Sequence, residues 1–191
     1  MTPTLIIMVK EPRPGRVKTR LGRDIGMVGA AWWFRHQTRV LIRRLRDPRW
    51  RIVLAVSPDR EGLLSRSWPA DLPRAAQGRG DLGARMGRML RSTPLGPVCL
   101  IGADVPGIER AHIARAFWAL GSSDWVFGPA YDGGYWLVGA RRLAAIPSGV
   151  FSNVRWSSSD ALQDTLNTLP GQRIALIDTL RDVDTLADLT G

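Results

Sequence analysis

A chain of 191 residues with 45% hydrophobic and 23% charged residues can bury a core without disulfides, and its composition is globular rather than disordered or fibrous. Its single cysteine, Cys99, excludes an internal disulfide and fits a reducing, cytoplasmic setting. The net charge of +10, from 27 basic against 17 acidic residues, suits anionic small substrates, and its spread along the chain disfavours nucleic acid as the main partner.

In chain order, LIIMV (5–9) is apolar and β-branched. It falls short of the roughly 7–15 apolar residues of a signal-peptide core, so it predicts a first buried strand. No apolar run approaches the about 18 residues of a membrane span. A loop carrying Pro12, Pro14 and Gly15 comes next, and residues 27–46 predict a helix. Its apolar stripe is read from Val28, Ala31, Trp32, Val40, Ile42 and Leu45. IVLAVS (52–57) is a second strand, residues 60–67 a short helix, and DLPRAAQ a weak third strand. Residues 81–91 suit a helix with Asp81 as N-cap.

PVCLIGA (97–103) is the clearest strand, and its apolar neighbours make Cys99 a packing residue rather than a nucleophile. Residues 109–120 predict a helix. DWVFGPA and YWLVGA are strands parted by the turn DGG, residues 158–169 a helix, RIALI (173–177) the last strand, and DTLADL (184–189) a closing helix. The alternation of strand and helix implies one α/β domain with a mostly parallel sheet covered on both faces. The DGG connection is too short for a parallel crossover, so one strand runs antiparallel and the sheet is mixed.

Four segments carry candidate chemistry. The first is KEPRPGRVKTRLG (10–22), placed after the first strand, where open α/β sheets bind ligands. Of the 27 basic residues only Lys10 and Lys18 are lysine, and both lie here. Lysine offers a compact charge, Gly15 a close backbone approach, and Arg20 a further cation, as a phosphate-binding loop needs, with a solvated basic loop as the alternative. The loop is no P-loop, since GxxxxGK[ST] is absent. The second is IGADVPG (101–107), where Asp104 at a strand end is a candidate ligand for Mg²⁺ or Mn²⁺, or else a turn cap.

The third is GPAYDGGYWLVG (128–139). Asp132 is the candidate catalytic residue, contacting an acceptor hydroxyl, with a plain β-turn as the alternative. Gly133 and Gly134 bend the backbone beside the ligand, and of Tyr135 and Trp136 one faces the site and the other the core. The fourth is RDVDTLADL (181–189), where Asp182 and Asp184 are spaced as a metal-binding pair, with helix capping by Asp184 as the alternative. GRGDLG (78–83) formally matches a dinucleotide fingerprint. A loop-to-helix joint lining the same cleft is the better reading, and it puts Asp81 among the ligand-binding residues. Trp156 is the candidate aromatic wall of that cleft. His36 and His112 lack metal-ligand spacing and are read as structural or surface residues.

Taken in this order, KEPRPGRVKTRL, QGRGDLGARM, IGADVP and GPAYDGGYWLVG resemble the GT-A-fold transferases often encoded beside radical-SAM/selenodomain proteins. The resemblance runs from Lys10 to about Leu189. It implies a nucleotide-diphospho-sugar transferase fold, a Rossmann-like three-layer α/β/α arrangement, with molybdenum-cofactor nucleotidyltransferases and phospholactate guanylyltransferases as distant relatives. Asp104 matches the strand-end metal aspartate, and Asp182 and Asp184 the acidic pair of the guanylyltransferase group. Lys18 and Arg20 sit where phosphate contacts are expected. The chain departs from the Gly-rich opening loop of nucleotidyltransferases, and it has Gly102-Ala103-Asp104 where many glycosyltransferases carry Asp-x-Asp. The implied activity is metal-dependent transfer from a nucleotide-sugar to a small acceptor. The alternatives are nucleotidyl transfer from a nucleoside triphosphate, or nucleotide binding without catalysis.

Overall fold

The computed structural model describes residues 1–183. The chain runs β1 (Thr4–Lys10), α1 (Thr19–Ile25), α2 (Met27–Arg44), β2 (Arg51–Ser57), α3 (Asp59–Leu64), β3 (Arg74–Ala76) and α4 (Leu82–Ser92). It continues through β4 (Val98–Gly102), α5 (Arg110–Ala119), β5 (Trp125–Pro129), β6 (Tyr135–Ala140), α6 (Ala161–Asn167) and β7 (Ile174–Leu176). The seven strands form one sheet in the order β3-β2-β1-β4-β6-β5-β7. Strand β6 runs antiparallel to both neighbours and the other pairings are parallel. The short turn between β5 and β6 thus makes the antiparallel strand that its length requires.

The strands divide their side chains between two cores, as the period of two dictates. Leu5, Ile7 and Val9 of β1 join Cys99 and Ile101 of β4 beneath α2 and α5, while Ile6 joins Val98 and Leu100 beneath α4 and α6. With helices packed on both faces, the architecture is the three-layer α/β/α arrangement.

Two helical expectations change. α1 falls within the segment read as loop: TRLGRDI buries only Leu21 and Gly22, and its N-cap Lys18 makes no side-chain cap. Neither an apolar stripe nor a capping residue announces it. The buried face of α2 is Ala30, Ala31, Phe34, Thr38, Leu41 and Ile42, whereas Val28 and Trp32 of the expected stripe are 72% and 66% exposed. Asp81 does cap α4, accepting a hydrogen bond from the Ala84 amide at 2.8 Å. The expected closing helix over 184–189 lies outside the described residues.

Candidate functional site

A cleft of about 820 Å³ opens where the parallel strands end. This is the edge at which crossover connections leave room for a ligand. Its walls come from the segment after β1, the loop after β4, the β5–β6 turn, α4 and the segment before α6.

Lys18 precedes α1 with a left-handed backbone (φ 44°, ψ 49°), a conformation that non-glycine residues adopt only where the surroundings hold it. Next to it Val17 is buried in the core under α2. The Lys18 side chain is 7% exposed, and its Nζ lies 3.4 Å from Oδ2 of Asp104, whose side chain is 45% exposed. Asp104 lies just past the end of β4, between buried Ala103 and Val105. A Cβ at Gly102 would come within 2.7 Å of Asp104 Oδ1, so glycine there leaves room for the carboxylate. The Asp104 carbonyl accepts a hydrogen bond from the Val183 amide at 3.2 Å. That contact brings the 181–183 segment alongside, and Asp182 lines the same cleft.

The β5–β6 turn is held by its own polar groups. Asp132 Oδ1 accepts from the Gly134 amide at 2.9 Å, and Ala130 and Gly134 are bonded across the turn. Asp132 therefore shapes the turn while lining the cleft. Gly133 (φ +85°) packs so closely that a Cβ would run into the Ser159 backbone, and its carbonyl accepts from the Leu162 amide at 3.1 Å. Glycine is required there by conformation and by space. Tyr135 and Trp136 both reach the cleft. Trp136 is 3% exposed and packs in the α2/α5 core, and its Nε1 donates to the Asp178 carbonyl at 2.9 Å. Tyr135 sits edge-on to Phe127, its ring centroid 5.3 Å away; burial pushes its phenol pKa up.

Trp156 forms part of the wall on the α4 side. A Cβ at Gly83 would meet Trp156 Cζ2 at 2.7 Å and Phe151 Cβ at 2.8 Å, so this helix turn is seated on the indole. The Trp156 Nε1 is buried and makes no hydrogen bond among the described residues. Its neighbour Arg155 is fixed by Asp164, which accepts from the Arg155 amide at 3.0 Å and from two guanidinium nitrogens at 2.8 and 2.9 Å.

Of the candidate residues named from the sequence, Lys10, Lys18, Arg20, Asp104, Asp132, Gly134, Tyr135, Trp156 and Asp182 line this cleft. Three do not. Gly15 (φ +74°) has nothing within 4 Å of where its Cβ would stand, Asp81 is engaged in capping α4, and Gly133 packs behind the turn. Asp184 lies outside the described residues. Among the described residues no three His, Cys, Asp or Glu side chains converge as a metal cluster. His112 accepts a hydrogen bond from the Glu109 amide at its Nδ1, 3.0 Å, and His36 stacks on Trp32.

The sequence reading missed Gln77, which is 4% exposed and ties the ends of two strands beneath the cleft. Its amide nitrogen donates to the Ala55 carbonyl at 2.8 Å and to the Val9 carbonyl at 3.2 Å. The only signal was a glutamine closing the weakest strand. Arg85 also lines the cleft, and the one trace of it was the GRGDLG match.

Over residues 40–158, more than half of its length, the chain matches the family described as "Uncharacterized protein conserved in bacteria (DUF2064)". No curated protein matches it. Among solved structures, a candidate nucleotide-diphospho-sugar transferase from Desulfovibrio desulfuricans G20 superposes with a TM-score of 0.86 at 28% identity, over 98% of this chain and 84% of that one. The CTP complex of CMP:2-keto-3-deoxy-manno-octonic acid synthetase has a TM-score of 0.60 at 12% identity, over 100% and 96%. The manganese complex of Rv0371c from Mycobacterium tuberculosis H37Rv has 0.56 at 14%, over 100% and 97%. These likenesses establish the α/β fold of the nucleotide-diphospho-sugar transferases.

Proposed function

The chain belongs to the DUF2064 family of proteins conserved in bacteria, and within that family we propose that it is a metal-dependent transferase that takes a nucleotide-sugar and passes the sugar to a small acceptor. The observation that carries this reading is the meeting of Lys18 and Asp104 in one cleft at the strand ends. A cation from the loop after β1 and a carboxylate from the end of β4 are the two charges needed to receive a diphosphate with its counter-ion.

The residues present suit a hard divalent cation such as Mg²⁺ or Mn²⁺. Asp104 already accommodates a cation, the Lys18 ammonium, and keeps a solvent-facing surface. Asp182 lines the same cleft. Mg²⁺ characteristically takes one or two carboxylates and completes its shell with phosphate oxygens and water, so Asp104 and Asp182 would hold it. When bound, such an ion supplies charge neutralisation at the leaving phosphate.

The chain's own residues do the rest. Lys18 and Arg20 donate to the phosphate oxygens, and their positive charge stabilises the negative charge that builds up as the sugar departs. Trp156 and Tyr135 offer aromatic faces to a sugar ring and exclude water from one wall. Asp132 accepts a proton from, or orients, the acceptor hydroxyl. Its hydrogen bond from the Gly134 amide fixes where the carboxylate stands.

A second reading, nucleotidyl transfer from a nucleoside triphosphate, is favoured by the single aspartate at the end of β4, where Gly102 stands in place of a second acidic residue. The leaving group separates the two readings: nucleoside diphosphate from the first, inorganic pyrophosphate from the second. The test is thermal shift against nucleoside di- and triphosphates and nucleotide-sugars, with and without Mn²⁺ or Mg²⁺, on wild type and Asp104→Ala. The expected result is a metal-dependent rise in Tm for one nucleotide, lost in the variant. Absence of a shift with every nucleotide in a folded protein overturns the nucleotide site. Tight binding without turnover would make the chain a binding module.

A further inference from the structure

On the outer face of α2 runs a stripe of side chains that the cleft does not use. Val28, Trp32, Arg35, Arg39 and Arg43 succeed one another at intervals of three or four residues, so they stand one above another on one side of the helix. All five are exposed, Val28 at 72% and Trp32 at 66%. The stripe is ordered: apolar and aromatic at the N-terminal end, cationic towards the C-terminal end. Ile25 and Met27, each 38% exposed, widen the apolar end. Trp32 is held flat against His36, with ring centroids 5.5 Å apart and planes 9° from parallel. The helix contains no Asp or Glu, and among the described residues none of the three arginines has an ion-pair partner. The other prominent arginines, by contrast, are engaged: Arg46, Arg49, Arg115, Arg155 and Arg173 each pair with an aspartate.

We propose that this face of α2 docks on an anionic lipid bilayer. An interfacial helix combines a shallow apolar insertion with cations at headgroup level, and tryptophan is suited to that boundary. Charge weighs against a second copy of this chain: a parallel two-fold contact would set the arginines of one face against those of the other, and an antiparallel one would bury Arg39 and Arg43 against Trp32 and Val28 with no acidic partner on the helix. It also decides the sign of the partner. The aliphatic end decides against nucleic acid, whose backbone gives Val28, Met27 and Ile25 nothing apolar to cover. No described helix is long and apolar enough to cross a membrane, so the contact is peripheral. It is independent of the transferase reading.

The test is co-sedimentation with phosphatidylcholine vesicles containing either no phosphatidylglycerol or about 30% of it, at low and high salt. Wild type is compared with Trp32→Ala, with Val28→Ser and with the triple Arg35→Gln/Arg39→Gln/Arg43→Gln variant. All are surface substitutions, and an unchanged Tm confirms that each variant is folded. Binding is expected only with phosphatidylglycerol. It should weaken by on the order of a hundredfold in the triple variant at low salt, given roughly fivefold per arginine. The Trp32→Ala loss should survive high salt, since apolar insertion is not screened. Wild type that stays in the supernatant with the anionic vesicles overturns the proposal, as does binding unaffected by every variant. A Trp32-dependent dimer, or a duplex oligonucleotide bound through the same arginines in place of vesicles, also overturns it.

Discussion

Lys18 and Asp104, 86 positions apart in sequence, meet with the ammonium nitrogen 3.4 Å from the carboxylate oxygen. Their burial is unequal: the lysine side chain is 7% exposed and the aspartate 45%. The two ends of this ion pair should therefore respond differently to mutation. Asp104→Asn takes a carboxylate from a buried cation and should cost about 1–2 kcal/mol, a buried pair's penalty reduced by the exposure of one partner. Lys18→Met leaves a carboxylate that water can reach, and should cost less than about 1 kcal/mol. Urea denaturation of the two variants measures both.

Nucleotide affinity should respond the opposite way at Lys18. If the loop receives phosphates, Lys18→Met removes a charge-assisted contact of roughly 1.5–3 kcal/mol, a weakening of about ten- to a hundredfold. Titration calorimetry with the nucleotide identified by thermal shift would measure it. Unchanged affinity in Lys18→Met would remove the lysine from the phosphate site.

The strands were legible because their signals are local. β1 and β4 are short apolar runs, and topology alone places Lys18, in the loop after β1, and Asp104, just past β4, at the ligand edge. The β5–β6 antiparallel pair was legible from the length of one turn. The remaining features depend on packing. α1 has no amphipathic stripe because only Leu21 and Gly22 are buried. The apolar residues of α2 include Val28 and Trp32, which turn outward, so hydrophobic type alone misassigned those two, while Ala31, Ile42 and Leu45 are buried as expected. Gln77 is buried at the cleft only because β1 and β2 bring the Val9 and Ala55 carbonyls to it, a coincidence of three strands that no local pattern encodes. Asp81 was legible as a cap, and its carboxylate is engaged there.

Gly133 couples the Asp132 turn to the segment bearing Trp156. Its φ of +85° disfavours any side chain, and a Cβ would collide with the Ser159 backbone. Gly133→Ala should destabilise the fold by about 2–4 kcal/mol, from backbone strain together with overpacking. The Tm should fall accordingly. Gly15→Ala meets no atom within 4 Å and carries only the backbone strain, so its loss should be the smaller of the two.

Cys99 lies fully buried in the central strand β4, and desolvation pushes its thiol pKa up. The thiolate is the reactive form, so the native protein should take up no iodoacetamide near neutral pH. The denatured chain should take up one equivalent, from its one cysteine. The labelling rate then reports opening of the sheet. Rapid modification of folded protein would contradict the burial of β4.

Acid should act on the wall of the cleft through Asp164. The Arg155 guanidinium and amide hydrogen-bond its carboxylate and lower its pKa from 3.8 to about 2. A depressed carboxylate pKa contributes stability that is present above the unfolded value and is lost as pH falls through the folded one. The window is therefore between about 4 and 2. Asp124, held by Arg173, and Asp47, held by Arg49, are lowered to about 2 in the same way. In all three pairs the arginine side chain is exposed, so salt should weaken each contribution. Asp164→Asn should lower the Tm relative to wild type at about pH 5, and the difference should vanish towards pH 2. Because Arg155 immediately precedes Trp156, the same variant should speed amide exchange at Arg155 and loosen the aromatic wall. A Tm difference that persisted unchanged at low pH would show that Asp164 acts through packing rather than through its charge.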